Sequence, residues 1–310
     1  MRYLTLPGID KPISRIALGT AGLSLDDYER AAGLLDAFVE LGGNGIDTAH
    51  VYGRGASERA IGRWLREREG RAGVVLIDKC CHPIGESGPR VTPDAIHADL
   101  AESLERLGTD YVDLYLLHRD DERVPVGPLV EALNEERAAG RIRAFGGSNW
   151  RVERIAAANA YAAERGLIGF VVSSPNMSLA RPKEPMWAGC YSATDADRAW
   201  HTQTQLPLLS WSSQAGGFLS GRFTREDRSN ADMLRVWYSD ENFERLDHAI
   251  ELGRRKGTGP IPIALAYALS QPFPTIALVG SASVAELRES MRALEFALTA
   301  DELAYLDLKG

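Results

Sequence analysis

The sequence predicts a (β/α)8 TIM barrel, and three observations favour this fold class. Short β-rich runs alternate with helical patterns throughout the 310 residues. The runs are almost continuously apolar, as in VVLIDK, YVDLYLLH and TIALVG, which is typical of parallel strands that helices cover on the outside. No shift in composition marks a linker, so we expect residues 1–310 to form a single domain.

Eight strands are predicted, each followed by enough chain for a helix. In chain order they are Ile13–Thr20, Gly45–Ala49, Val74–Lys79, Tyr111–His118, Arg143–Ser148, Gly169–Ser174, Leu206–Ser212 and Thr275–Gly280. A doubly wound parallel sheet is the alternative arrangement of such units. Its G-x-G-x-x-G signature is missing between the first strand and the first helix, where the chain reads GTAGL, so the barrel is favoured.

The intervening segments carry helix start signals. Ser24 is the predicted N-cap of the first helix, and Ser57 that of the helix after the second strand. Thr92 and Pro93 open another helix, and a capping box begins at Thr299. Two connections, residues 176–193 and 213–240, are longer than ordinary loops. Their aromatic residues favour a role in covering a ligand after the sixth and seventh strands.

The composition argues against several classes of function. A net charge of −8 is unsuited to nucleic acid or an anionic membrane surface as the main partner. The sequence has no apolar run long enough to span a bilayer and no signal-peptide pattern at its start. Three cysteines, two of them adjacent, provide neither a disulfide framework nor the spacing of zinc ligands. We therefore expect a cytoplasmic protein without a metal.

Four titratable side chains fall at one end of three successive predicted strands. Asp47, Lys79 and His118 come at the ends of the second, third and fourth strands, and Tyr52 lies in the loop just beyond Asp47. Each has an ordinary structural explanation when it is taken alone. In a (β/α)8 barrel, however, the C-terminal ends of the strands share the face on which active sites lie. We expect the four side chains to converge there.

The chemistry of these side chains suits the protonation of a carbonyl. A tyrosine pKa of about 10 is too high for easy proton exchange near neutrality. A buried Lys79 ammonium would favour the phenolate of Tyr52, and Asp47 would keep Lys79 charged. His118 would orient a carbonyl oxygen or relay its proton. The set predicts a proton donor for a carbonyl whose carbon receives a hydride.

The segment GNGIDTAHVYGRGASE, residues 43–58, resembles the signature of the aldo-keto reductases. The resemblance continues through LLHRDD, GRIRAFGGSNW, LLSWSSQAGGFLSGRF and ALVGSASVAELRES, so it covers essentially the whole chain. It implies a catalytic tetrad of Asp47, Tyr52, Lys79 and His118. The branch that the chain resembles is that of the reductases similar to potassium-channel beta subunits.

The resemblance implies an NAD(P)H-dependent oxidoreductase that reduces an aldehyde or ketone by hydride transfer, with Tyr52 as general acid, or an alcohol dehydrogenase acting on CH–OH groups. Its partner would be a small carbonyl or alcohol, either a sugar or polyol or an aromatic aldehyde. The alternative is a redox-sensing or regulatory module that binds the nicotinamide cofactor and turns over slowly. A barrel lyase or isomerase ranks last, because it needs a carboxylate cluster or metal ligands.

The resemblance also implies where the cofactor lies. Ser148 and Asn149 would hold the nicotinamide carboxamide, and Trp211 would stack on the nicotinamide ring. Ser174 stands where relatives carry a glutamine that binds the carboxamide. The implied cofactor-binding residues are Thr20, Asp47, Ser148, Asn149, Ser174, Trp211, Ser212, Gln214, Gly216, Ser220, Arg222, Gly280, Ser281, Glu286 and Glu289.

The adenosine end departs from the pattern of NADPH-preferring relatives. Many of those relatives place Lys or Arg near the GSAS stretch to meet the 2′-phosphate, whereas Glu286 and Glu289 follow it here. A carboxylate close to a phosphate is unfavourable. NADP(H) is therefore expected from the family and NAD(H) is the alternative, with Arg222, Arg225 and Arg228 as nearby cations.

The predicted substrate pocket combines tryptophans with polar side chains. Its residues are His50, Tyr52, His118, Trp150 and Trp187, with Cys81, His82 and Trp237 as further candidates.

Overall fold

The protein is a closed barrel of parallel strands, seen in a computed structural model that describes residues 1–85 and 88–309. The strands are β1 (Tyr3–Leu4), β2 (Ile13–Ser14), β3 (Ile16–Gly19), β4 (Gly45–Asp47), β5 (Val75–Cys80), β6 (Val112–Leu117), β7 (Ile142–Ser148), β8 (Ser173–Ser174), β9 (Leu208–Ser210) and β10 (Thr275–Val279). The helices are α1 (Tyr28–Glu40), α2 (Ala56–Arg68), α3 (Pro93–Leu107), α4 (Val126–Ala138), α5 (Val152–Glu164), α6 (Asp195–Thr204), α7 (Asp240–Lys256), α8 (Pro260–Leu269), α9 (Val284–Met291) and α10 (Ala300–Leu306).

Strands β3 to β10 pair in the order of the chain, and β10 closes the barrel against β3. Every neighbouring pair in the barrel is parallel. The predicted (β/α)8 barrel is therefore confirmed, and each of the eight predicted strands overlaps one barrel strand, although β5 ends one residue later and β7 begins one residue earlier than predicted. The register sets Gly19 opposite Asp47, Asp47 opposite Ile77, and Lys79 opposite Leu116, so the C-terminal ends of these strands lie side by side.

The first predicted strand, Ile13–Thr20, is in fact two strands. Ile13–Ser14 pairs antiparallel with β1, and the barrel strand begins only at Ile16. Leu6, Ile9 and Ile13 of this hairpin are buried together with the inward-facing residues of the barrel strands, so the hairpin closes the N-terminal end of the barrel. The barrel interior is thus a packed core, and only its C-terminal end is left for a site.

Two of the predicted helix starts are right and two are wrong. The Thr92 hydroxyl accepts the backbone N–H of Ala95, and the capping box at Thr299 is formed. Helix α1 starts four residues after Ser24, with Asp27 at its N-cap, because the chain first makes a turn through residues 20–23. Ser57 lies inside α2, where its hydroxyl bonds to loops that precede the helix.

Both long connections are folded over the C-terminal end of the barrel. Residues 176–193 are anchored where Asn176 forms bridges with Ser192 and Trp211. Residues 213–240 contain a 3-10 segment, Ala215–Ser220, and a π-helical turn, Met233–Trp237. Among the described residues, no helix has the length and apolar character required to cross a membrane.

Candidate active site

A cavity of about 1440 Å³ opens at the C-terminal face of the barrel. Its floor is formed by the strand ends that carry Asp47, Lys79 and His118, and its walls are the loops that follow the barrel strands, including the 176–193 connection after β8. Sites for a single small ligand usually have volumes of about 300–1,000 Å³. This cavity is larger than that range.

Three of the four candidate catalytic side chains form a hydrogen-bonded chain. The Lys79 ammonium lies 2.6 Å from Asp47 Oδ1 and also donates to the carbonyl oxygen of Thr48 at 2.9 Å. It donates to the Tyr52 hydroxyl at 3.4 Å. Asp47 and Lys79 are each only 2% exposed. The lysine therefore joins a buried carboxylate to a phenol that faces the cavity.

The loop after β4 holds Tyr52 in place through an unusual run of backbone conformations. Gly53, Arg54 and Gly55 all have positive φ, at 56°, 54° and 84°. A Cβ atom at Gly55 would lie 2.8 Å from the Arg106 side chain, so a larger residue would strain this turn. The turn directs the Tyr52 ring edge-on to the His118 ring, with their centroids 5.7 Å apart.

The charges in this cluster oppose one another. Burial by itself would lower the pKa of Lys79, but the charges of Asp47 and Tyr52 outweigh burial and raise it. Burial raises the pKa of Tyr52, and the Lys79 ammonium opposes this rise. The sequence-based expectation that Lys79 lowers the Tyr52 pKa therefore describes one contribution, while burial determines the net direction. Tyr52 is a neutral phenol with a proton to give.

His118 is held as a neutral imidazole. Burial lowers its pKa well below the usual value, and the positive charges of Lys79 and Arg119 add to this effect. Its Nδ1 atom has no hydrogen-bond partner among the described residues, and the His82 ring lies 4.8 Å away. A neutral imidazole in this position can donate a hydrogen bond to a carbonyl oxygen without adding a charge.

Ser148 and Asn149 already make several hydrogen bonds. Ser148 Oγ donates to the carbonyl oxygen of Ser174, and Asn149 Nδ2 donates to that of His118, both at 3.0 Å. Asn149 Oδ1 accepts the backbone N–H of Tyr191, which ties the 176–193 connection to the barrel. These bonds fix the two side chains at the cavity wall. A carboxamide bound there would have to share their donor and acceptor atoms with the existing hydrogen bonds.

The loop after β9 makes successive tight turns, a backbone form that can cradle a phosphate. Ser212, Ala215, Gly216 and Gly217 all have positive φ, which folds the backbone into tight turns. A Cβ atom at Gly217 would lie 2.7 Å from the guanidinium of Arg222, so that this guanidinium lies directly on the backbone of the loop. Trp211 Nε1 and Ser281 Oγ are buried without a hydrogen-bond partner in the described part of the chain. Such donors at the wall of a large cavity fit a phosphate-bearing dinucleotide.

The far end of the cavity combines two carboxylates with few free cations. Glu286 accepts the backbone N–H of Ala282 at 2.8 Å, while Glu289 is exposed. Arg225 is paired with Asp247 at 2.7 Å, and neither it nor Arg228 lines the cavity. Besides Lys79 and Arg119, the cations at the wall among the described residues are Arg222 and a residue that the sequence did not indicate, Arg30, whose Nε lies 2.7 Å from Asp27.

Most of the predicted site residues lie at the cavity wall. They are Thr20, Asp47, Tyr52, Lys79, His118, Ser148, Asn149, Trp187, Trp211, Ser212, Gln214, Gly216, Ser220, Arg222, Gly280, Ser281, Glu286 and Glu289, together with His82.

Three predicted residues do not reach the cavity. Ser174 is fully buried at the end of β8, where it pairs with Ser148, and its hydroxyl has no hydrogen-bond partner among the described residues. His50 turns toward α3, where its Nε2 lies 3.0 Å from Glu102. Trp150 is 1% exposed, since it packs on Phe170 and donates its N–H to a loop carbonyl oxygen. Two further candidates, Cys81 and Trp237, are buried away from the wall as well.

The structure also adds wall residues that sequence reasoning missed. Arg119 and Cys190 line the part of the cavity next to His118, and Val51 and Leu23 add apolar surface. The position of Arg119 at the cavity could have been predicted from the sequence, because this residue directly follows His118 in the LLHRDD segment. The others carry no chemical pattern that distinguishes them from core or loop residues.

Comparison with known proteins agrees with this geometry. The sequence model of the Aldo/keto reductase family matches residues 15–309. An uncharacterized oxidoreductase of Bacillus subtilis, YrpG, is 28% identical over 99% of this chain and 95% of its own. Norsolorinic acid reductase A of Aspergillus parasiticus is 26% identical over 91% of this chain and 71% of its own. The structure of a glycerol dehydrogenase from Gluconobacter oxydans is similar with a TM-score of 0.81 and 25% identity, covering 98% of this chain and 94% of that one. The chain belongs to the aldo/keto reductase family.

Proposed function

We propose that this protein is an NAD(P)H-dependent carbonyl reductase in which Tyr52 protonates the carbonyl oxygen. The observation that carries the proposal is the chain of contacts from Asp47 through Lys79 to the Tyr52 hydroxyl, at the floor of the cavity. The catalytic tetrad is supported by the family membership and by this geometry. A sugar, a polyol-derived carbonyl and an aromatic aldehyde are all compatible substrates.

The residues of the cavity fit a nicotinamide dinucleotide at two places. The loop from Ser212 to Arg222 would hold the pyrophosphate with its backbone N–H groups and one guanidinium. Ser148 and Asn149 would hold the carboxamide. When bound there in its reduced form, the cofactor would supply a hydride to the carbonyl carbon.

The protein's own groups would handle the proton. His118 would donate a hydrogen bond to the carbonyl oxygen and orient it toward Tyr52. The Tyr52 hydroxyl would give its proton to that oxygen as the C=O bond becomes an alcohol. The Lys79 ammonium would stabilise the phenolate that remains, and Asp47 would keep the ammonium charged. A proton from water then restores Tyr52.

NADP(H) is the proposed cofactor, and NAD(H) is expected to be accepted as well. Family membership supports the first part of this proposal. The second part rests on Glu286 and Glu289 at the end of the cavity where the adenosine would lie. Arg222, which lines the cavity without an ion-pair partner in the described residues, is the group proposed to meet phosphate charge.

Tyr52→Phe tests the proposal. Loss of the hydroxyl should lower the rate of aldehyde reduction by about 10²-fold or more, while the affinity for NADPH stays close to that of the wild type. The reaction is followed by nicotinamide absorbance, and cofactor binding is measured by quenching of tryptophan fluorescence. A Tyr52→Phe protein that turns over as fast as the wild type would contradict the proposed role.

A further inference from the structure

Arg119 lies at the substrate end of the cavity and is not one of the four tetrad residues. It directly follows His118 at the end of β6, and it lines the cavity wall. The residue is only 8% exposed, which is rare for an arginine that has no carboxylate partner. A buried cation of this kind is costly unless something compensates for its charge.

Within the described residues, Arg119 has no ion-pair partner. Its single hydrogen bond as a donor runs from Nη1 to the carbonyl oxygen of His118 at 3.0 Å. The two aspartates that follow it in the sequence pair with other arginines. Asp120 binds Arg154 at 2.9 Å, and Asp121 binds Arg123 at 2.8 Å. The remaining N–H groups of the guanidinium are therefore available to a molecule in the cavity.

The surrounding residues hold Arg119 in position. Trp150, which is itself buried, donates its indole N–H to the carbonyl oxygen of Arg119 at 3.0 Å. Gly189 packs so closely that a Cβ atom there would lie 3.2 Å from Arg119 Cδ. The Arg119 side chain is thus fixed between His118, at the floor of the cavity, and the 176–193 connection, and it does not extend into solvent.

Among the described residues, the other charges near Arg119 do not neutralise it. The carboxylates that line the cavity are Asp47, which is committed to Lys79, and Glu286 and Glu289, which lie at the far end. The positive charge of Arg119 contributes to the pKa values of several groups that face it. Burial is the largest cause of the shift for both His82 and Cys190. The charge of Arg119 adds to the lowering of the His82 pKa and opposes the rise in the Cys190 pKa.

We propose that Arg119 binds an anionic group of the substrate, such as a carboxylate, and so selects carbonyl compounds that carry a negative charge close to the reacting carbonyl. A guanidinium can hold a carboxylate with two parallel hydrogen bonds, which fixes orientation as well as charge. The inference rests on the proposed reductase function, since the neighbouring His118 and Tyr52 would receive the carbonyl. The phosphates of a dinucleotide are assigned to the separate loop around Arg222.

The test compares matched substrates. The 2-, 3- and 4-carboxybenzaldehydes are reduced in parallel with the corresponding formylbenzamides, which have the same shape without the charge. For the isomer that fits best, the wild type should prefer the carboxylate by roughly 10- to 100-fold in kcat/KM, mostly through KM. Arg119→Met should bring this ratio close to one and leave reduction of the amide in place. Arg119→Lys should retain part of the preference.

Arg123→Met is the matched control, because it removes a solvent-exposed cation from the same loop. Its ratio should equal that of the wild type. Circular dichroism and thermal unfolding establish that each variant folds. If Arg119→Met does not fold, Arg119→Lys replaces it in the comparison with the wild type. A wild type that shows no preference for any carboxylate, or a preference that survives in Arg119→Met, overturns the inference.

Calorimetric titration of benzoate and benzamide into the NADP⁺-loaded protein separates this inference from the proposed function. Benzoate binding that is lost in Arg119→Met supports the anion site even if no aldehyde is reduced. Failure to reduce any aldehyde would contradict the reductase proposal alone. Benzoate that binds no better than benzamide contradicts the anion site.

Discussion

Replacing Lys79 by Met tests how the buried charges control the proton donor. The ammonium lies 2.6 Å from Asp47 Oδ1 and 3.4 Å from the Tyr52 hydroxyl, and it is almost inaccessible to water. Methionine has a similar length and no charge. The substitution therefore removes the one cation that opposes the effect of burial on Tyr52 by direct contact.

The expected magnitude follows from the separation of the two atoms. At 3.4 Å, a unit charge stabilises the phenolate by ~5 kcal/mol with an effective dielectric constant of about 20. If about half of this stabilisation is felt during proton transfer, the rate of reduction should fall by about 10²-fold. In the oxidation direction, the rise of the rate with pH should move to higher pH, because the phenolate forms later.

Stability requires a separate control, because Lys79→Met leaves Asp47 buried without its partner. Such a broken pair typically destabilises a protein by about 3–5 kcal/mol. The double variant Asp47→Asn, Lys79→Met removes both charges and should recover most of that loss without recovering activity. Rates are measured in single turnovers with NADPH, and stability by urea unfolding. A Lys79→Met protein that keeps its rate, or whose oxidation profile does not move with pH, would refute the argument.

Three further substitutions probe other parts of the molecule. Asp78→Asn should stabilise the protein increasingly as the pH rises above about 4, because burial and the charge of Glu58 hold the pKa of Asp78 well above its usual value in the folded protein. Above about pH 4 this carboxyl loses its proton in the unfolded chain and keeps it in the folded protein, so the wild type loses about 1.4 kcal/mol of stability per pH unit until the folded pKa is reached. Urea unfolding should therefore show a larger gain for the variant at about pH 8 than at about pH 5. Gly217→Ala should weaken NADPH binding by about tenfold, since φ is 92° and the new Cβ would meet Arg222, and equal fluorescence titrations would contradict the assigned phosphate cradle. Glu289→Lys should raise the ratio of NADPH to NADH efficiency by about tenfold, and an unchanged ratio would exclude this position from the 2′-phosphate end.

The barrel was predictable because its strand sequences are almost uniformly apolar. Parallel strands covered on both faces need continuous apolar runs, and each run in this chain is followed by a helix-length segment. The N-terminal hairpin was not predicted, since only Arg15 separates Ile13–Ser14 from Ile16–Gly19 and neither Gly nor Pro marks a turn between them. What separates them is a pair of hydrogen bonds that only the folded chain reveals: Ser14 Oγ donates to the carbonyl oxygen of Ile16 and accepts the backbone N–H of Asn44.

The candidate site was predictable where position along a strand decides which way a side chain faces. Asp47, Lys79 and His118 are fixed by the ends of their strands. Side chains in the loops are not fixed in this way, and residue type misled the prediction there. His50 and Trp150 were assigned to the substrate pocket as polar and aromatic groups, but carboxylates on α3 hold the first and a phenylalanine packs against the second.

The hydrogen bonds of the Ser57 hydroxyl bear on which parts of this molecule can vary in evolution. It lies 2.7 Å from the Thr20 hydroxyl and 3.0 Å from that of Thr48, in a fully buried cluster that joins helix α2 to the loops after the first and second barrel strands. One half of the cavity rim is thereby locked to the framework that carries Tyr52. The opposite half consists of the two long connections, 176–193 and 213–240. Substitutions and insertions in those connections can therefore alter what enters the cavity while the proton donor stays where it is.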